Sequence, residues 1–254
     1  MYRNKTAGYA ATFLGFVLIG LILQLAGMKS GKLVFPGVDT IFRRFCFLII
    51  QPRTWQMIGT TFLHLILSLF ISAVCGIITG SLQGLCPLFR NLIRPLLTAL
   101  RSLPMIVLVI MIMVLNRYET VPVTATVIVL FPMFSEAVSE GIQRIDRELI
   151  DVYSVNGSFS LRVFFRVHLP LISGYIRQSY ISAAGTGIKV AVTSEYLVQS
   201  SNSLGKAVFS SFFFSEYADI YAYAIIMILL ILFLTEFPEA VLRQINRKKE
   251  ITMP

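Results

Sequence analysis

The chain has 254 residues, of which 56% are hydrophobic and 14% charged, against about 45–50% apolar and about 25% charged in an average soluble domain. That balance excludes an ordinary water-soluble globule, and six apolar runs with their connections take up nearly all of the length. The formal net charge of +9, from 22 Lys and Arg against 13 Asp and Glu, then bears on which side of a bilayer the cations occupy rather than on nucleic acid.

A hydrocarbon layer about 30 Å thick takes roughly 20 apolar helical residues. Spans are accordingly predicted over 8–27, 58–81, 102–116, 121–140, 171–196 and 218–241, and the fold class is an all-α membrane protein with six transmembrane helices. Arg3 and Lys5 lead into the first run, Gly8 to Gly27, which exceeds a signal-peptide core and lacks a small-residue cleavage site before Met28 and Lys29; it reads as a retained span. From Phe35 to Trp55, Phe42, Phe45, Phe47, Leu48 and Ile49 accompany Arg43, Arg44 and Arg53. This stretch predicts an interfacial helix on the outer face, opened by Pro36-Gly37 and stopped by Pro52, with Trp55 as a headgroup-level anchor. In the second span Ser72, Gly76, Gly80 and Gly84 recur every four residues, which lets a neighbouring backbone approach closely. His64, beside Thr60, Thr61 and Ser68, reads as an interhelical hydrogen-bonding residue rather than a ligand. The third run is short and extends backwards through Leu88 to Arg101, with Pro95 and Pro104 expected to bend or break it. Cys46, Cys75 and Cys86 fall in separate segments and act as apolar filler.

Cation placement sets the orientation. With the N-terminus inside, 14 of the 22 positive residues fall in cytoplasmic segments, 7 in external ones, and Lys189 lies within a span. That asymmetry predicts N-in and C-in. The whole chain reads as one membrane domain: 1–57 with the first span and the external helix, 58–241 as a core of five spans containing a cytoplasmic segment 141–170, and 242–254 as a basic tail.

Segment 141–170 differs in kind from the other connections. Ile142, Ile145, Leu149, Val152 and Val155 return at helical steps and form one apolar stripe. Asn156-Gly157 tolerates a left-handed helix end and Ser158 is a good N-cap. A second short helix, Phe159 to His168, follows, carrying Leu161, Phe164 and Phe165 beside Arg162 and Arg166 and ending at Leu169-Pro170. A rigid, partly basic knob suits the transmission of force from a partner; an ordinary amphipathic connection packed on the bundle fits the same pattern.

Asp151 and Gly157, followed after nine residues by Val167-His168-Leu169-Pro170, resemble the EAA motif of ABC importer permeases, with Val152 and Tyr153 where that motif has small residues. Phe35-Pro36-Gly37, Trp55, the stretch from Gly76 to Gly84, Pro95, Arg101-Ser102-Leu103-Pro104, and Glu195 followed by Leu204-Gly205-Lys206 are similar to the sulfonate, taurine and nitrate branch; thiamine-precursor and riboflavin importers share much of the pattern. The resemblance implies a type I ABC importer permease fold. It also implies that Asp151, Gly157, Ser158, Phe159, Arg162, Phe164, Arg166, Leu169 and Pro170 form the element that docks on a cytoplasmic ATPase, with Phe159 and Phe164 filling its groove. The implied partners are two ATPase copies, an extracytoplasmic solute-binding protein and a second permease copy in a homodimer, all in a bacterial plasma or inner membrane, with no cofactor. No G-x-x-x-x-G-K-[ST] run is present, so ATP is bound by another chain.

Within the spans, Lys189 has two readings: an anion-attracting charge on the pathway, or a side chain that snorkels or pairs with a neighbouring helix. Glu195 is six residues further on, off that face, and is expected to support the outer end of the span or the dimer interface and to join Lys189 as a candidate pathway residue. Glu136 reads as structural. Phe209, Phe212, Phe213 and Phe214 suggest an interface plug or an external gate. A secondary carrier would need carboxylates near the midplane or matched broken helices, and an intramembrane enzyme would need metal-ligand spacing or paired carboxylates; neither pattern is present.

Overall fold

The computed structural model describes residues 36–146 and 163–251, with side chains up to Glu236. The first predicted span and the turn around Gly157 lie outside the described residues. Among the described residues the elements are helical, in the order α1 (Val38–Ile50), α2 (Pro52–Leu85), α3 (Pro87–Ser102), α4 (Met105–Leu115), α5 (Val121–Gln143), α6 (Ser173–Val198), α7 (Leu204–Phe213) and α8 (Tyr217–Ile251). Among the described residues three helices are long and apolar enough to cross a membrane: α2, α5 and the Tyr217–Glu236 part of α8. A fourth crossing is available if α3 and α4, bent by 103° at their junction, count as one broken span. α6 has 26 residues, about 39 Å of helix, but its Ser, Thr, Gly, Lys189 and Glu195 make it too polar to pass the same test.

Helix boundaries follow local chemistry. Pro52 begins α2 rather than stopping α1, because the first helical position has no amide donor to lose. Trp55 therefore belongs to the first turn of α2, where its indole N–H donates to the Ile49 carbonyl at 2.8 Å and fastens the two helices. Pro95 sits inside an unbroken α3, and the break falls at Leu103-Pro104. α1 is amphipathic: Leu48 is buried while Phe42, Phe47 and Ile50 are exposed. It is held to α8 by Arg44, whose Nε and Nη2 both donate to Asp219, the latter at 2.8 Å. The hydrogen bond to this buried carboxylate raises the Arg44 pKa above its ordinary value.

The core forms where α2 meets α5. Gly76, Gly80 and Gly84 face α5 so closely that a Cβ would lie 2.4 Å from the Phe134 Cβ, 2.4 Å from the Ser135 carbonyl oxygen and 2.7 Å from the Ile142 Cβ. The small-residue stripe is thus a packing seam. Ser72 donates to the Val127 carbonyl at 3.3 Å, and Gln83 and Thr79 both bond the Ser135 hydroxyl, at 2.6 and 2.9 Å. Leu65, Leu69, Leu130, Phe134, Ala183, Ala184 and Ile188 then join α2, α5 and α6 in one apolar cluster, closed by Leu230 and Leu234 of α8.

Candidate functional site

Three regions carry chemistry. The first is a buried polar junction that joins α2, α6 and α7. Glu195 is 0% exposed, so an isolated carboxylate there would be costly; here it is fully engaged. One oxygen meets His64 Nδ1 at 2.8 Å, and the other accepts from the Thr61 hydroxyl at 2.9 Å and the Gly205 amide at 3.1 Å. Thr61 in turn accepts from the Leu204 amide at 3.0 Å, and Ser203 caps α7 through the Lys206 amide at 3.2 Å. The acidic group and two hydroxyls thereby satisfy amides at the N-terminus of α7, where the helix dipole favours negative charge. Gly205 is required for the approach, since a Cβ would stand 2.4 Å from the Glu195 Cβ and 2.6 Å from the Val192 carbonyl oxygen. Glu195 therefore fixes α7 to α2 and α6 within this chain. His64 was legible as an interhelical partner; its carboxylate partner, 131 residues away, was not.

The second region is a cavity of about 600 Å³ between the α3–α4 break, α5 and α6, lined among others by Arg101, Met105, Met133, Thr186, Lys189 and Thr193. Lys189 is exposed on α6, and Thr186 and Thr193 lie on the same helical face, three and four residues away. Lys189 thus opens onto this cavity and not toward Glu195, which points into the junction with α2 and α7. At the break, Arg101 pairs with Glu136 of α5, and their side chains are 45% and 35% exposed. The sequence pattern did not reveal this pair; its available signal was two opposite charges in two adjacent apolar segments.

The third region lies at the end of α5 and the start of α6. A π-helical turn, Phe164–His168, runs through Leu169–Leu171 into α6. Helix is not ended by Leu169-Pro170 as expected; the widened turn accommodates a proline that offers no amide, and the bend falls at Ile172 instead. Phe164, expected to fill a groove on an ATPase, is buried against Val138, Ile142 and Ile172 and stacks on His168 at 6.2 Å. The exposed aromatic of this turn is Phe165. Arg166 and Pro170 are exposed and Leu169 is half-buried, while Asp151, Gly157, Ser158, Phe159 and Arg162 lie outside the described residues. Arg144, at the end of α5, stands over the Tyr175 ring at 5.9 Å.

Around α7, Tyr196, Phe209, Phe213 and Phe214 form a chain of ring contacts between 5.3 and 6.4 Å, with Phe212, Phe213 and Phe214 exposed. Among the described residues no group of three His, Cys, Asp or Glu could hold a metal ion.

Residues 72–251 match the family of binding-protein-dependent transport system inner membrane components. The chain belongs to this family. It is an ABC importer permease subunit of a binding-protein-dependent system, embedded in the membrane, and its family implies ATPase and binding-protein partners. Over 247 residues, 94% of this chain and 97% of the relative, it is 24% identical to a probable ABC transporter permease protein of Brucella abortus (strain 2308). A probable ABC transporter permease protein of Brucella melitensis biotype 1 is 26% identical over 202 residues, 76% of this chain and 80% of the relative. In fold, the permease is similar to the inward-facing MetNI methionine ABC transporter, with a TM-score of 0.64, 16% identity, and 76% and 98% of the two chains covered. It is likewise similar to a bacterial ABC transporter involved in the import of the acidic polysaccharide alginate, with a TM-score of 0.65, 15% identity, and 95% and 93% covered.

Proposed function

We propose that this permease carries a small organic or inorganic anion of the sulfonate, taurine or nitrate kind, through a pathway lined by the cavity between the α3–α4 break, α5 and α6. The observation that carries this reading is Lys189: an exposed ammonium on α6, flanked by Thr186 and Thr193, facing a cavity inside a membrane protein. A charge at that depth is expensive unless it serves a polar pathway, and hydroxyls at helical spacing beside it offer donors to an anion. Glu195 has no direct part in the pathway in this reading. The alternative is the same permease role for a thiamine-precursor or riboflavin-type substrate; a secondary carrier is the weakest reading, since the two buried carboxylates of the helices among the described residues, Glu195 and Asp219, are both engaged in structural contacts.

The chain crosses the bilayer six times with both termini inside and works as a homodimer served by two ATPase subunits, because two ATP sites need two coupling elements and one chain supplies one. Coupling is assigned to the EAA-like residues Asp151, Gly157, Ser158, Phe159, Arg162, Arg166, Leu169 and Pro170, with the exposed Phe165 taking the part expected of the buried Phe164. Closure of the ATPase pair then moves this segment as a rigid body and switches the cavity between inward and outward access. Co-purification tests the coupling. An ATPase subunit is expected to be retained by the wild-type chain in mild detergent and lost with Gly157→Pro; a wild-type chain that retains none overturns it.

A further inference from the structure

Glu195 of α6 and Glu136 of α5 are held in opposite ways. Glu195 is fully enclosed and its oxygens meet three donors. Glu136, seven residues before the end of α5, is about one-third exposed, and it pairs with the Arg101 guanidinium, itself nearly half exposed. Arg101 also lines the cavity that holds Lys189, and these two are the charged residues of its lining.

An ion pair that exists to fasten α3 to α5 would be buried and reinforced. One this open, beside a cavity that the anion-pathway reading makes aqueous, adds little to stability, because water in that cavity screens both charges and holding two long side chains in place costs entropy; exchanging one of its partners therefore also costs little. A guanidinium presents a planar fork that suits a carboxylate, and it suits a sulfonate or phosphonate oxygen pair equally well. Arg101 also sits at the 103° break between α3 and α4, where a change in its partner falls at the joint of a bent span.

We propose that Glu136 is a placeholder counter-ion: in the empty protein it occupies Arg101, and an oxyanion entering the cavity takes its place, so that Arg101 and Lys189 together hold the substrate. This rests on the anion-pathway reading and narrows it to ligands bearing a forked oxyanion group. It sets a spherical anion such as chloride at a disadvantage, because chloride cannot make the two parallel hydrogen bonds that a forked oxyanion makes to the guanidinium. The exchange is one of non-covalent partners; Glu136 is released into the cavity as a carboxylate, and no proton needs to move.

The test is thermal stabilisation of the full-length permease in nanodiscs, titrated with methanesulfonate, with chloride and tetramethylammonium as controls. Wild type is expected to show saturable stabilisation by methanesulfonate and none by the controls, with Lys189→Met weakening the half-saturation point about tenfold. Arg101→Gln should weaken it to a similar degree and Arg101→Lys by less, while Glu136→Gln, which removes the competing charge, should tighten it about threefold. Each half-saturation point is read relative to that variant's own ligand-free melting temperature, so a loss of stability alone does not imitate the effect. If Lys189→Met weakens binding but Arg101→Gln and Glu136→Gln leave it unchanged, the placeholder role is overturned and the anion pathway stands. If methanesulfonate stabilises no form, or chloride does as well as methanesulfonate, the forked-oxyanion reading itself fails.

Discussion

At the scale of single residues, Glu195 and Gly205 show how a buried charge becomes structural. The carboxylate is tolerated because His64, Thr61 and the Gly205 amide reach it, and that amide reaches it because residue 205 has no side chain. Gly205→Ala forces a methyl into backbone atoms of α6 that cannot swing away, an overpacking of the kind that costs about 1–3 kcal/mol. Its thermal unfolding midpoint in detergent should drop clearly below wild type. At Gly185, in α6, a Cβ would meet nothing within 4 Å, so Gly185→Ala should be neutral or stabilising by up to about 1 kcal/mol. Equal losses from the two alanines would contradict the crowding account.

At the scale of elements, much was legible because hydropathy and spacing act locally. The apolar runs 58–81, 121–140 and 218–241 fall inside α2, α5 and α8, and the run 102–116 proves to be half of a bent pair, broken at one of the two prolines expected to do so. The stripe from Ser72 to Gly84 was readable as a packing face, since four-residue spacing stacks small residues along one side of a helix. Its partner, the stretch of α5 from Phe134 to Ile142, was not readable, because contact across the bundle leaves no trace in either segment alone. Gly76→Val should disrupt this seam more than any other pair of helices, as its branched side chain meets the Phe134 Cβ and the Ser135 amide directly. Lower folded yield and a lower melting temperature than Gly174→Val, at a site with open space, is the expected outcome; equal behaviour would mean that α2 and α5 do not pack through these glycines. Phe164 marks the other limit: an aromatic at helical spacing faces inward or outward according to a helix register that its neighbours do not fix, and within the π-helical turn Phe164 is buried while Phe165 is exposed.

At the scale of the whole molecule, the permease divides its few charges by purpose. Arg44 and Asp219 fasten α1 to α8, Glu195 pins α7, and Lys189 shares with Arg101, the partner of Glu136, a cavity at the α3–α4 break. The cavity is proposed as a polar pathway, against the alternative of a gap filled by lipid. That proposal is tested most directly by the reactivity of a thiol introduced with Lys189→Cys toward a charged, membrane-impermeant methanethiosulfonate, in a chain whose Cys46, Cys75 and Cys86 have been replaced by alanine, compared with Ile110→Cys on the exposed apolar surface of α4. The pathway account predicts rapid modification at position 189 and little at position 110; a thiol at 189 as unreactive as the one at 110 would contradict it.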